Sequence, residues 1–92
     1  MSLRYSARAL ADLERIASYI EAEDPTAARR IVQRIRDRCG SLAEFPRQGV
    51  TTRTSERRML VISGTPYLVF YSIRGETVSV LHVRHGKRRP QR

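Results

Sequence analysis

The spacing of apolar residues changes near Pro46, and this change restricts the fold more than any other feature of the sequence. Before Pro46, apolar residues recur every three or four positions, which is the spacing of one face of an α-helix. After it, β-branched and aromatic residues form short runs separated by turn residues. A chain of 92 residues has room for one core. The sequence therefore predicts a single α+β domain over residues 1–92, with helices first and a sheet after them.

Two amphipathic helices are predicted in the first half of the chain. The first covers residues 6–22, with Ser6 as its N-cap, and follows a short strand at residues 3–5. The second covers residues 25–45, where Asp24 caps the helix and the proline after it fits the first turn. Because few residues join them, the helices should form an antiparallel hairpin. Their apolar stripes are Leu10, Leu13, Ile16, Ala17 and Ile20 in the first helix, and Ala28, Ile31, Val32, Ile35, Cys39 and Leu42, with Phe45 close after, in the second.

Three strands are predicted in the second half, between residues 57 and 84. The middle strand, residues 67–73, is apolar on both faces and should therefore lie at the centre of the sheet. Residues 85–92 form a polar, basic tail. The expected fold is a helical hairpin packed on one face of a small antiparallel sheet, whose other face stays partly open for a site.

Charge is distributed unevenly along the chain. The protein has 18 Lys and Arg against 9 Asp and Glu, and 17 of the basic residues are Arg. Residues 1–46 carry eight Arg and seven acidic residues, whereas residues 47–92 carry ten basic and two acidic residues. The excess positive charge therefore belongs to the second half, which indicates an acidic partner or nucleic acid.

Several classes of protein are excluded or disfavoured by composition. No apolar run approaches the roughly 18 residues of a membrane span, and the first residues lack the apolar stretch of a signal peptide, so we expect a cytoplasmic protein without a membrane partner. The single cysteine, Cys39, cannot form an internal disulfide. With only two histidines there is no ligand set for structural zinc, and neither a metal nor a cofactor is expected.

Basic residues gather at the predicted strand ends. An antiparallel order can bring several of them close together, and the resulting concave patch would bind a phosphodiester backbone or an acidic peptide. The alternative is that these residues only solvate the strand ends. The candidate binding residues are Arg57, Arg58, Arg74, Arg84, Lys87, Arg88 and Arg89.

His82 and His85 are the two residues that titrate near neutrality. Because they lie three positions apart on a strand, they should face opposite sides of the sheet. RNA cleavage by a 2′-hydroxyl needs a base, an acid and a cation near the developing charge. The candidates are Glu56 as base, His85 as acid and Arg74 as stabiliser, against the alternative that the histidines are structural.

Three other residues admit a chemical and a structural interpretation. Tyr67 and Tyr71 share one face of the middle strand and could stack on bases, although aromatic residues in a central strand usually belong to the core. Cys39 lies on the apolar stripe of the second helix. We expect it to be a buried small residue without a histidine partner.

The whole pattern resembles the RelE/ParE superfamily of bacterial toxins. The resemblance rests on the order and spacing of four segments that together span nearly the whole chain. These segments are Tyr5-Ser6-x-x-Ala9-x-x-Asp12-Leu13-x-x-Ile16-x-x-Tyr19-Ile20, a second helix ending in Phe45-Pro46, Tyr67-x-Val69-x-Tyr71, and Val80-Leu81-x-Val83-x-His85-Gly86-Lys87-Arg88. The resemblance implies the toxin of a type II toxin–antitoxin module that stabilises plasmids. It also implies an acidic, partly disordered cognate antitoxin that folds along the toxin surface.

The superfamily has two branches with different targets. RelE-like members are ribosome-dependent mRNA endonucleases, whereas ParE-like members inhibit DNA gyrase by protein–protein contact and arrest growth. The helix signature from Ser6 to Ile20, the long hairpin and the His-Gly-Lys-Arg ending resemble the ParE branch. The favoured hypothesis is a ParE-like, non-enzymatic toxin. An mRNA endonuclease is the first alternative, and a basic nucleic-acid-binding module is the second.

Overall fold

The structure is a computed structural model that describes residues 1–54 and 56–87. Two helices and five strands make up the described part, together with a short 3₁₀ helix at Ser41–Ala43. The helices are α1 (Ala7–Glu21) and α2 (Pro25–Gly40). The strands are β1 (Ser2–Tyr5), β2 (Val50–Thr51), β3 (Arg58–Val61), β4 (Tyr67–Arg74) and β5 (Thr77–His85).

The five strands form one mixed sheet in the order β1-β5-β4-β3-β2. The α+β class and the central position of β4 are confirmed. The expectation of a purely antiparallel sheet is wrong, because β1 pairs with β5 in parallel, with Leu3 opposite Val78. After β1 the helical hairpin carries the chain to the opposite edge of the sheet, where the two-residue strand β2 joins β3.

The predicted caps start both helices. Ser6 Oγ accepts the N–H of Ala9 at 2.9 Å, and an Asp24 carboxylate oxygen accepts the N–H of Ala27 at 3.0 Å. The helix α2 ends at Gly40 and not at residue 45 as predicted, because the chain then tightens into the 3₁₀ turn. Phe45, which comes close after the predicted apolar stripe of the second helix, is 59% exposed.

The core lies between the helices and one face of the sheet. The buried stripe of α2 runs through Ala28, Ile35 and Cys39, as the spacing predicted. The buried stripe of α1 is rotated from the predicted one: Leu10 is 45% exposed, whereas Asp12 is 2% exposed. The reason is that the Asp12 carboxylate accepts a hydrogen bond from the Val83 N–H of β5. In the described ranges no helix is long and apolar enough to cross a membrane.

Candidate functional site

The predicted basic residues divide between the two ends of the sheet. Because β4 and β5 are antiparallel, Arg74 pairs with Thr77, whereas Arg84 pairs with Leu68. Six residues of extended strand separate positions 68 and 74, which is roughly 20 Å. Arg58 and Arg74 therefore lie towards one end and Arg84 and Lys87 towards the other, whereas the charges of both Arg57 and Arg84 act on His82 between the two ends. The expectation of one patch at the strand ends is wrong, and Arg88 and Arg89 lie outside the described residues.

The three candidates for RNA cleavage are separated in the same way. Arg74 donates to Glu56 at 3.3 Å, in an ion pair whose side chains are 77% and 74% exposed. His85 pairs with Tyr67 at the other end of the sheet. Since an acid, a base and a stabilising cation must reach one substrate, Glu56, Arg74 and His85 do not form a catalytic set in this structure.

His85 lies on the helix side of the sheet, beside a cleft between α1 and the end of β5. Its ring packs edge to face on Tyr67 with the centroids 5.4 Å apart, and its Nδ1 accepts the N–H of Lys87 at 3.1 Å. The proton of the neutral ring is therefore on Nε2. The cleft has a volume of about 380 Å³ and is lined by Arg8, Asp12, Arg15, Ile16, Tyr19, Tyr67, Val83, Arg84 and His85.

The buried carboxylate of Asp12 closes the back of this cleft. Its Oδ2 accepts the N–H of Val83 at 2.9 Å, and its Oδ1 accepts from the guanidinium of Arg15. Arg8 lies 3.9 Å from Oδ2. The pairing of β5 with β1 ends at Val80. Beyond that point the Val83 N–H has no carbonyl of β1 to donate to, and the Asp12 carboxylate accepts its hydrogen bond instead. Asp12 belongs to the segment that carries the family resemblance, but its burial was not predicted, because aspartate is rarely buried without a partner and the partner here is distant in sequence.

The face of the sheet opposite the helices is open, and residues paired across it form a row. Val50 pairs with Met59, Met59 with Phe70, and Phe70 with His82. A second row beside it holds Val61, Leu68 and Arg84. Paired residues point to the same face of a sheet, so these side chains share one surface. We call it the open-face surface; its members are Val50, Met59, Val61, Leu68, Phe70, His82 and Arg84.

His82 lies at the β5 end of this surface. Its ring stacks on Phe70 with the centroids 4.7 Å apart and the planes at 16°, and it is 7% exposed. Burial lowers the pKa of His82 from 6.5, and the positive charges of Arg8, Arg57 and Arg84 lower it further, against the carboxylate of Asp12. His82 is therefore neutral at pH 7.

The two histidines face opposite sides, as the alternation predicted. The register of β4 and β5 shifts between Phe70 and Tyr71, where Leu81 is the extra residue of a β-bulge. The bulge precedes His82 and leaves the alternation up to His85 intact. His85 was the predicted acid because it lies at the end of the last predicted strand. Neither the bulge nor the charges around His82 have a signal in the sequence.

The other candidate residues belong to the framework of the fold. Tyr67 and Tyr71 are 5% and 0% exposed, so they belong to the core, as aromatic residues of a central strand usually do, and do not stack on bases. Arg58 donates to the carbonyl of Gly49 at 2.6 Å and so holds the chain before β2. Cys39 is fully buried, as predicted, and burial raises the pKa of its thiol to about 11.

The described residues include one surface that suits contact with another macromolecule. His, Cys, Asp and Glu side chains of residues 1–54 and 56–87 form no group of three that could hold a metal ion. The carboxylate with the best-defined geometry, Asp12, is occupied by Val83 and Arg15. The open-face surface combines exposed apolar side chains with guanidinium groups, which suits contact with another macromolecule.

Comparison with known proteins gives consistent results over the whole chain. Residues 3–90 match the family described as the ParE toxin of the type II toxin–antitoxin system parDE. The chain is 40% identical over 84 residues to the candidate toxin Y4kP of Sinorhizobium fredii, which covers 91% of this chain and 86% of that protein. It is 36% identical over 81 residues to Toxin RelE2 of Caulobacter vibrioides, covering 88% and 90% of the two chains.

A solved structure agrees with the fold. The chromosomal ParDE toxin–antitoxin system from P. aeruginosa contains a chain that superimposes with a TM-score of 0.83 at 24% identity. The match covers 92% of this chain and 95% of that chain. The two proteins therefore share one fold.

Proposed function

Because this chain belongs to the ParE toxin family of type II toxin–antitoxin systems, we propose that it inhibits DNA gyrase by protein–protein contact and thereby arrests growth. Membership of the family implies a cognate antitoxin as partner. Neutralisation by that antitoxin would make the pair a module that stabilises the plasmid or chromosomal segment encoding it. Action by contact requires a recognition surface and no reaction centre on the toxin.

The observation that carries this proposal is the separation of the catalytic candidates. Glu56 and Arg74 are exposed and paired with each other, whereas His85 lies at the other end of β5. These positions favour action by binding over catalysis at that set of residues.

The test uses purified protein, purified gyrase and relaxed plasmid DNA. We expect the protein to block supercoiling or to trap cleaved gyrase–DNA complexes, and addition of the antitoxin to restore supercoiling. Relaxation of the same plasmid by a type I topoisomerase is the control and should be unaffected. Unchanged supercoiling with the protein at or above the gyrase concentration would rule out the proposal.

A ribosome-dependent mRNA endonuclease is the second candidate. It is favoured by the likeness to a protein named Toxin RelE2 and by the placement of neutral His82 near Arg57 and Arg84. Primer extension on mRNA from cells expressing the protein would then reveal cuts at fixed codon positions. Substitution His82→Gln should abolish those cuts while the protein stays folded; their absence in wild-type cells would exclude this candidate.

A further inference from the structure

We propose that the cleft between α1 and the end of β5 binds a small phosphate ester that carries an aromatic group, as a nucleotide does. The phosphate group would lie between the guanidinium groups of Arg8 and Arg15 and the imidazole of His85. The aromatic group would lie on the wall to which Ile16 and Tyr19 contribute. This site is separate from the inhibition of gyrase and requires no catalytic step.

The cleft has the size and enclosure of a small-molecule site. Its volume of about 380 Å³ falls within the range of about 300–1,000 Å³ that is usual for ligand pockets. The pairing of β5 with β1 ends at Val80, so the last residues of β5 form a free strand edge. Helix α1 lies against this edge, where Asp12 accepts the N–H of Val83. A helix therefore bounds the cleft on one side and a strand edge on the other.

Positive charge in the cleft exceeds what its one carboxylate can pair with. Asp12 is 2% exposed, and its two oxygens already accept from Val83 and Arg15. The Nε of Arg8 lies 3.9 Å from Oδ2, and within residues 1–54 and 56–87 the Arg8 guanidinium makes no hydrogen bond. The side chains of Arg8 and Arg15 are both 68% exposed. Most of their N–H donors are therefore available to an anion.

His85 adds donors on the strand side of the cleft. Its Nδ1 accepts the N–H of Lys87, so the proton of the neutral ring is on Nε2, where it can be donated to a ligand. The backbone N–H groups of an antiparallel strand point alternately to its two sides. The Gly86 N–H points to the carbonyl of Pro66 at 2.6 Å, so the backbone N–H of His85 points away from β4, as that of Val83 does. Strand and helix thus both present donors to the cleft.

These donors suit a phosphate group. A phosphate monoester carries three strongly accepting oxygens and a charge of about −1.5 to −2 at pH 7. A guanidinium group forms charge-assisted hydrogen bonds with phosphate oxygens and can donate two of them in parallel. Arg8 and Arg15 border the cleft from α1 and His85 borders it from β5, so different oxygens can be bound from different sides. Arg84 is not part of this set, because its guanidinium carbon lies 6.0 Å from the ring centroid of Phe70 on the open face.

The remaining wall of the cleft is apolar and aromatic. Tyr19 lines the cleft and is 60% exposed. Ile16, Tyr67 and Val83 line it as well and are 9%, 5% and 4% exposed. A planar aromatic group can stack on the ring of Tyr19 and cover this wall. A glycerol group presents hydroxyl groups, which gain little from an apolar surface. The wall therefore favours an aromatic phosphate ester over other phosphate esters.

The experiment titrates the isotope-labelled full-length protein and follows its backbone amides by NMR. The compounds are adenosine monophosphate, adenosine, glycerol phosphate and inorganic phosphate. We expect adenosine monophosphate to shift the amides of Val83 and His85 and to bind at least about fivefold more tightly than inorganic phosphate. Glycerol phosphate should bind like inorganic phosphate, and adenosine should bind more weakly than either.

Two results of this titration would overturn the proposal. The first is equal affinity for adenosine monophosphate and for glycerol phosphate or inorganic phosphate, since the aromatic group would then contribute nothing. The second is a set of shifts confined to α2, whose exposed arginines form another cationic surface. Binding of adenosine monophosphate in the cleft by a protein that leaves gyrase active would support this proposal and refute only the proposed function.

Arg8→Gln tests the contact with the phosphate group. It should weaken binding of adenosine monophosphate at least about tenfold, because a charge-assisted contact is lost. Arg29→Gln is the matched control, since it removes the same charge from an exposed position of α2 that does not line the cleft. The control should change the affinity by less than about twofold. An equal loss in both variants would indicate a general charge effect and overturn the assignment.

Tyr19→Ala tests the aromatic wall. It should lower the affinity for adenosine monophosphate towards that for inorganic phosphate and leave the affinity for inorganic phosphate unchanged. Unchanged binding of adenosine monophosphate, or an equal loss for both compounds, would contradict stacking on this ring and overturn the proposal. Thermal unfolding checks that the variants at Arg8, Tyr19 and Arg29 remain folded.

Discussion

Asp12 fixes the orientation in which α1 packs on the sheet. Its position among apolar residues of α1 looks unfavourable, because a carboxylate at 2% exposure loses its hydration. The Val83 N–H and the Arg15 guanidinium replace the lost water. One residue therefore joins the start of the chain to its last strand, 71 positions away. It also sets which face of α1 is buried and leaves Leu10 outside.

Removal of the Asp12 carboxylate should destabilise the fold. In Asp12→Ala the buried Val83 N–H loses its acceptor, and we expect the free energy of unfolding to fall by about 2–3 kcal/mol. Asp12→Asn keeps an acceptor oxygen and should cost less, about 1 kcal/mol. Urea denaturation of both variants measures the difference. Equal stability of Asp12→Ala and wild type would contradict the role assigned to this carboxylate.

His82 should make stability depend on pH. Burial and the charges of Arg8, Arg57 and Arg84 lower its pKa below 6.5 in the folded protein. Below pH 6.5 the unfolded chain binds a proton that the folded chain resists, so the free energy of unfolding should fall as the pH drops from 6.5 towards the folded pKa. His82→Gln removes this contribution. A stability difference between wild type and His82→Gln that does not change with pH would refute the expectation.

At the scale of elements, one tyrosine fixes the segment that leads from the helices to β2. The hydroxyl of Tyr71 on β4 accepts the N–H of Gly49 at 2.9 Å and donates to the carbonyl of Pro46 at 2.7 Å. A Cβ at Gly49 would lie 2.6 Å from the carbonyl oxygen of Met59, so a larger residue does not fit. The short edge strand β2 depends on this arrangement, since only two residues pair with β3.

Tyr71→Phe should loosen this edge without changing the sheet. The Gly49 N–H is left without its acceptor in a buried position, and we expect a loss of about 1–2 kcal/mol in the free energy of unfolding. Hydrogen exchange of the Gly49 amide should accelerate more than exchange in β4 and β5. The amides of β5, which lie away from Gly49, are the internal control. Unchanged exchange at Gly49 would contradict the proposed anchoring.

At the scale of the whole molecule, residue patterns within short segments predicted the helices and strands. They did not predict the contacts between segments that are distant in sequence. The caps at Ser6 and Asp24 and the stripe of α2 follow from nearby residues, and they agree with the structure. The parallel pairing of β1 with β5 depends on where the hairpin returns the chain, which periodicity does not encode. The β-bulge at Leu81 and the burial of Asp12 likewise depend on partners far along the sequence.

The candidate site was predicted less well than the fold for the same reason. Arg57 is exposed and Arg84 is half-buried, and their role in binding remains a prediction. The prediction that they lie beside Arg74 was wrong, because the antiparallel pairing of β4 and β5 places Arg74 opposite the start of β5 and Arg84 near its end. The open-face surface was expected only in outline, since its members become neighbours through cross-strand register. The pairing of β4 with β5 divides the excess positive charge of the second half: part of it lies around His82 and part at the far end of β4.

If this ParE-family toxin inhibits gyrase by binding, as we propose, inhibition should be stoichiometric. The most direct measurement is a titration of gyrase-catalysed supercoiling with the purified toxin at two fixed concentrations of gyrase. We predict that activity falls with added toxin to an end point that moves in proportion to the gyrase concentration and is reversed by the antitoxin. Supercoiling that is unaffected at every ratio, while the toxin still arrests growth and cuts mRNA in cells, would contradict inhibition of gyrase by binding.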